Sequence, residues 1–198
     1  MKLAPTTLEG KHARLEPLSP RHVPELLLAV QDEQIWRYLG VIPHPRTQAA
    51  MHEFVELALA QQERGLELPF AIVERASGRA VGSTRYMDIR AAHRGLEIGW
   101  TWITPAQQRT ALNTECKLLL LTHAFETLGC LRVQLKTDLR NLRSQAAIER
   151  LGATKEGVLR RHIVLHDGYV RDSVMYSITD AEWPAVKARL SASRPSGP

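Results

Sequence analysis

Cysteine is scarce: the 198-residue chain holds two, Cys116 and Cys130. A single pair builds no disulfide framework, and neither residue sits in a paired-ligand spacing for zinc, so both read as reduced thiols and no metal is expected. Aromatic residues make up only 6 % of the chain. That leaves little for the interleaved stacking surface of a single-strand nucleic-acid binder. Apolar runs are short, as in the four residues Leu118–Leu121, against the ~18 uncharged positions a membrane span requires. No apolar segment with a small-residue cleavage site follows Met1-Lys2-Leu3-Ala4-Pro5, so a cytoplasmic location is expected. Acidic residues are outnumbered, 21 Asp and Glu against 26 Lys and Arg, a formal charge of +5. A basic chain of this kind keeps nucleic acid open as a partner, and an enzyme with an anionic substrate fits equally well.

What is present is an ordinary globular composition, 44 % hydrophobic and 24 % charged, at a length that suits one domain. His12–Leu18 alternates as a first strand. Ser19-Pro20 opens a helix whose Val23, Leu26, Leu27 and Val30 share a face. A second helix follows Thr47, with Met51, Phe54, Val55, Ala58 and Leu59 at amphipathic spacing, and Pro43-His44-Pro45 reads as a loop between the two. Three strands follow, Phe70–Glu74, Ala80–Asp88 and Gly95–Thr104. A third helix is predicted from Asn113 or Thr114 to Gly129, a strand over Leu131–Asp138, and a fourth helix from an Asn141 cap to Leu151, stopped by Gly152. Strands Glu156–Leu165 and Tyr169–Ile178 are joined at Asp167-Gly168, a hairpin signal. The strand-helix-strand order at the centre requires at least one parallel pair. Residues 191–198 have the Ser/Pro/Gly composition of a disordered tail, leaving 1–190 as a single domain.

The unit Gly95–Leu151 carries the chemistry: a strand ending Glu97-Ile98-Gly99-Trp100-Thr101-Trp102, a loop, a helix, a strand, then Asn141-Leu142-Arg143-Ser144. This order resembles the acetyl-CoA-binding core of the GNAT superfamily of N-acyltransferases. The further runs Leu151-Gly152-Ala153, Lys155–Arg160, Asp167-Gly168 and Arg171-Asp172 are similar to its ribosomal-protein-alanine branch, the RimJ/RimL-like enzymes. The resemblance covers about residues 8 to 190. It implies an α/β fold, a mixed and mostly antiparallel central sheet with about four flanking helices, and acetyl-CoA as co-substrate.

A helix start with unpaired backbone N–H groups suits a diphosphate. Gln108, Arg109, Thr110, Ala111, Leu112 and Asn113 stand where relatives carry Gln/Arg-x-x-Gly-x-Gly/Ala, and both glycine positions are substituted, by Ala111 and Asn113. Asn141 reads as a helix cap on spacing alone, and the resemblance also places it against the pantetheine arm. Ser144, one turn on, is the candidate acid for the departing thiolate. Glu97 is the candidate base, sharing a strand face with Gly99 and Thr101, or else a solvent-side or ion-paired residue. His162 is its rival. By resemblance, the backbone N–H of Trp102 or Ile103 meets the oxyanion. The paired tryptophans Trp100 and Trp102 read as core packing. Between Arg132 and Asp172 nine Lys/Arg face five acids, 9 − 5 = +4, an excess that cofactor phosphates could explain.

The expected reaction is direct acetyl transfer to a primary amine, since neither cysteine has an argued base beside it. The resemblance implies a protein α-amino acceptor, with ribosomal proteins as the expected class, and the loop Trp36–Arg46 and the final hairpin are expected to line the acceptor side. A small-amine acetyltransferase and a catalytically inactive CoA-binding or nucleic-acid-binding module are the alternatives. A homodimer is possible.

Overall fold

A computed structural model describes residues 1–39 and 44–192. The strands are β1 (Leu8–Glu9), β2 (Ala13–Pro17), β3 (Leu68–Glu74), β4 (Ala80–Arg90), β5 (Gly95–Ile103), β6 (Arg132–Asp138), β7 (Thr154–Val164) and β8 (Val170–Thr179). They form one sheet in the order β1-β2-β3-β4-β5-β6-β8-β7. Every pairing is antiparallel except β5 with β6. The helices are α1 (Val23–Ala29), α2 (Gln48–Glu63), α3 (Ala111–Thr122), α4 (Leu142–Leu151) and α5 (Trp183–Ala192).

Alternation along β3 explains why the sheet has a core on each face. Phe70 and Ile72 point to one side, where they join Tyr86, Leu96, Val133, Tyr176 and the inner faces of α3, α4 and α5. Ala71 and Val73 point to the other, where α1, α2 and Trp102 complete a second cluster. No residue of β6, β7 or β8 belongs to that second cluster among the described residues. That face is therefore packed over the first half of the sheet and left without a helix over the second.

Several boundaries differ from expectation, each for a local reason. Ser19-Pro20 opens a single 3-10 turn, Pro20–His22, and the α-helix proper begins at Val23. The helix expected from Asn113 begins at Ala111, because Thr110 takes the N-cap and its hydroxyl accepts from Leu112 N at 3.2 Å. Ser191 and Ala192, expected in the tail, lie in α5, a fifth helix that buries Trp183, Val186 and Leu190. Residues 193–198, and Pro43 of the expected proline loop, lie outside the described residues. The two-residue strand β1 is also unannounced in the sequence. It is tied down through its turn: Glu115 of α3 accepts from the backbone N–H of Lys11, His12 and Ala13 at 2.9, 2.6 and 2.8 Å, and a Cβ on Gly10 would collide with that carboxylate.

Candidate active site

The strands β5 and β6 run side by side only briefly. Gly95, Leu96 and Glu97 pair with Arg132, Val133 and Gln134, and there the ladder ends. Beyond Glu97 the rest of β5 has no strand partner on its β6 side among the described residues, so the middle of the sheet opens into a cleft. A bulge re-aims the strand at that point. Between the pairs Arg85↔Gly99 and Ser83↔Trp102, two residues of β5, Trp100 and Thr101, stand opposite the single Thr84. Trp100 takes a left-handed backbone at φ 50°, uncommon for a bulky side chain.

The bulge changes which side chains share a face. Thr101, expected beside Glu97 and Gly99, is turned to the α3 side, where its hydroxyl accepts from Lys117 Nζ at 2.6 Å and lies 2.8 Å from the Thr84 hydroxyl. Trp100 and Trp102 stay together and pack with Trp36 and Phe54, as core. The backbone is sorted as well. Thr104 N donates to Val81 O on β4, and a Cβ on Gly82 of the same strand would collide with the Trp102 carbonyl. Peptide groups alternate along a strand, so the N–H and C=O of Ile103 face the cleft while those of Trp102 face β4. Gln108 confirms the open side by donating from Nε2 to Ile103 O at 3.1 Å.

Glu97 lies at the floor of the cleft, 1 % exposed. Its Oε2 accepts from Lys136 Nζ and Gln134 Nε2, each at 2.9 Å. Its Oε1 takes no part in those bonds and points toward Gly99, where a Cβ would come within 3.0 Å of it. The ion-paired alternative for Glu97 is thus realised at one oxygen, and the other is left toward the opening. His162 sits on β7, where partial desolvation, with the charges of Lys136 and Arg171, holds its imidazole below the ordinary value. Neutral imidazole is the form that can accept a proton.

The far wall is the start of α4. Asn141 Oδ1 accepts from Ser144 N at 3.0 Å, so the expected cap is made. The half-buried Ser144 hydroxyl makes no hydrogen bond among the described residues. Arg143 Nη1 donates to Gln108 Oε1 at 2.8 Å, which ties α4 to the loop before α3 across the opening. In that loop only Arg109 has a left-handed backbone, φ 63°. Ala111 and Asn113 are helical, so the absent glycines do not obstruct the backbone here.

Three of the nine basic residues counted between Arg132 and Asp172 are engaged in ion pairs: Arg132 with Glu156, Lys136 with Glu97, and Arg140 with Asp138. Glu156 and Asp138 are already subtracted in the +4, so only Lys136, paired with Glu97 outside the stretch, takes a charge from the excess attributed to cofactor phosphates. Sequence reasoning missed Lys136, Gln134, Arg171 and Lys117. Lys117 is 7 % exposed, and burial pushes its ammonium down to about 8. Among the described residues no cluster of His, Cys, Asp and Glu could hold a metal, and no helix is long and apolar enough to cross a membrane.

Residues 12–154 match the acetyltransferase (GNAT) domain family. The chain belongs to the GNAT superfamily. Over 97 % of its length it is similar to a GCN5-related N-acetyltransferase from Brucella melitensis, 32 % identical, covering 86 % of that chain with a TM-score of 0.90. A stretch of 110 residues, 56 % of this chain and 59 % of the other, is 31 % identical to YdaF of Bacillus subtilis (strain 168), provisionally assigned as a ribosomal N-acetyltransferase. RimJ of Mycobacterium smegmatis in complex with CoA-disulfide has the same fold, with a TM-score of 0.82 at 22 % identity over 95 % of this chain and 94 % of that one.

GNAT enzymes use acetyl-CoA, and the residues at the cleft fit it. Asn113 Oδ1, in the first turn of α3, is buried with no hydrogen-bond partner among the described residues, an acceptor suited to an amide N–H or hydroxyl of a pantetheine arm. The open edge of β5 offers the Ile103 N–H. The first turn of α3 offers backbone N–H groups to a diphosphate, with Arg109 at its mouth.

Proposed function

We propose that this GNAT enzyme acetylates protein N-terminal α-amino groups in the cytoplasm, with ribosomal proteins as the acceptor class. The observation that carries the proposal is the cleft itself: β5 and β6 part directly after Glu97, which leaves a carboxylate oxygen, an unpaired backbone N–H and a free hydroxyl around one opening. The similarity to YdaF brings forward the ribosomal acceptor.

An unperturbed α-amino group titrates near ~7.7–8.0 against ~10.4 for lysine, so at neutral pH a far larger share of it is already the attacking free base. In the proposed reaction the amine nitrogen bonds to the acetyl carbonyl carbon and the carbon–sulfur bond breaks. Glu97 Oε1 takes the proton that the amine loses, with His162 as the second group able to receive it. The Ile103 N–H stabilises the charge that develops on the carbonyl oxygen. The Ser144 hydroxyl supplies a proton to the departing thiolate, and Asn141, Asn113 and the loop Gln108–Leu112 hold the co-substrate.

Consumption of the acetyl-CoA thioester across N-terminal peptides, internal-lysine peptides, polyamines and aminoglycosides tests this reading. N-terminal peptides are expected to react fastest, and acetyl-CoA is expected to raise the melting temperature by mass action. Glu97→Gln should lower kcat by roughly 100-fold, the lower end of general-base contributions, and Ser144→Ala by less, with acetyl-CoA affinity close to the parent's. No consumption with any amine sinks the proposal. An unchanged rate in either variant removes that residue's role.

A further inference from the structure

Arg171 is a buried cation whose anion is missing. It lies on β8, 6 % exposed. Asp138 pairs with Ser173 at the last step of the β6–β8 ladder, and Arg171 follows two residues on, on the same face, beyond the end of β6. That is the mouth of the cleft. Its guanidinium is held by neutral groups, Nε donating to Ser173 Oγ at 3.0 Å and Nη1 to Tyr38 O at 3.4 Å. Among the described residues it has no carboxylate within ion-pair distance.

The nearby carboxylates already have partners. Glu97 is paired with Lys136. Asp138, 1 % exposed, is gripped by Arg140, whose Nε and Nη2 donate to its two oxygens at 3.0 and 2.7 Å. Burial works to raise the Asp138 carboxyl, and the bonds and charge of Arg140 overcome it and hold it below its ordinary value. Arg140 is fixed in turn over the Tyr169 ring, 3.5 Å from its centroid. Three cations therefore face two carboxylates on this wall, 3 − 2 = +1. Burial also draws Arg171 below its usual value, with Asp138 and Glu97 working against that and Arg140 adding to it.

Desolvating a cation without an anion is costly, and a planar fork with unused donors matches a carboxylate. We infer that Arg171 reads a carboxylate on the acceptor, so that the preferred substrate is a primary amine with a carboxylate close by. The inference rests on the acetyltransfer reading above and narrows its acceptor. The carboxylate has two possible sources, an acidic side chain just after the N-terminal residue of a peptide or the α-carboxylate of a free amino acid. The same surplus charge disfavours polycationic amines.

The test measures kcat/KM for peptides identical except for Asp, Asn or Lys at the second residue, beside free amino acids and their amides. The parent enzyme should prefer Asp over Asn by about tenfold, the scale of one charge-assisted contact at a partly buried site. Free acids should exceed amides instead if the α-carboxylate is the one recognised. In Arg171→Gln the preference should fall to within about twofold, and Arg171→Lys should retain part of it because the charge remains. Melting curves of both variants separate loss of recognition from loss of fold. Equal rates for Asp, Asn and Lys peptides and for acids and amides overturn the role of Arg171 and leave acetyl transfer standing. Absence of transfer to every amine overturns both.

Discussion

The two halves of the sheet are built differently. From β2 to β5 both faces are covered, one by α3 and its neighbours and the other by α1 and α2, and the strands read buried along most of their length. From β6 to β7 only one face is covered. The other carries Gln134, Asp138, Arg171 and Ser173, buried yet polar, with the half-buried Lys136 among them. The first half holds the fold, and the second holds an array of paired charges with one surplus cation. The boundary between them is the line along which β5 and β6 part.

The sharpest way to break this comparison is to truncate an apolar side chain in each half. Phe70 is 0 % exposed and meets Tyr86 edge-on, with ring centroids 5.6 Å apart. Phe70→Ala should lower unfolding free energy by roughly 3–5 kcal/mol, the cost of a large cavity in a packed core. Val164, on β7, is 64 % exposed, and Val164→Ala should stay within about 0.5 kcal/mol of the parent. Urea midpoints measure both. Comparable losses would mean that β7 is buried in solution.

The architecture was largely legible in the sequence because it is written in periods. Alternation marked the main strands, and Asp167-Gly168 marked the β7–β8 hairpin, where Gly168 has φ 83°. Asn141 caps the helix it was expected to cap, and Thr47 proves to be the N-cap of the helix expected to follow it. What stayed hidden had no local signal. The bulge at Trp100 sets a tryptophan in a left-handed backbone that its own propensity disfavours, and it flips Thr101 to the α3 face. Tertiary packing imposes it. The polar cluster was illegible for another reason: Glu97, Lys136 and Arg171 come from three strands whose relative register no short-range pattern fixes. In α5 a signal was present, Trp183, Val186 and Leu190 at helical spacing, next to a Ser/Pro/Gly-rich end that pulled the reading toward a tail.

Lys117 tests the boundary between the halves. It is a closed-half cation with the Thr101 hydroxyl as its hydrogen-bond partner, and burial pushes it down to about 8, against ~10.4 in an unfolded chain. Between those values the unfolded state binds more protons, so stability contributed by this group rises with pH from about 8 to ~10.4 and its penalty is full below about 8. Lys117→Met should therefore stabilise the protein at pH 7 by about 1–3 kcal/mol, as removal of a buried charge commonly does. The gain should shrink as pH approaches 10. Chemical denaturation of parent and variant at several pH values reads the difference directly, with other titrating groups common to both. A loss of stability at pH 7 would show that the ammonium is better compensated than its surroundings indicate.

The smallest expected effect lies at the entrance to the cleft, and it asks how much a motif depends on its letters. Ala111 is the first residue of α3 and takes a right-handed helical backbone. Glycine is needed where φ is positive or where a partner must approach the backbone closely, and the first condition does not hold here. Ala111→Gly should cost at most about 1 kcal/mol, the propensity difference of a helix interior, and less at a first-turn position whose N–H has no helical partner to lose. The removed methyl group clears space beside the first-turn N–H groups, so acetyl-CoA affinity should be equal to or modestly tighter than the parent's by calorimetric titration. A large loss of affinity would mean that the first turn of α3 does not receive the diphosphate. The positive end of the β5/β6 cleft would then have to be sought at Arg109 and Arg143, the cations flanking that entrance.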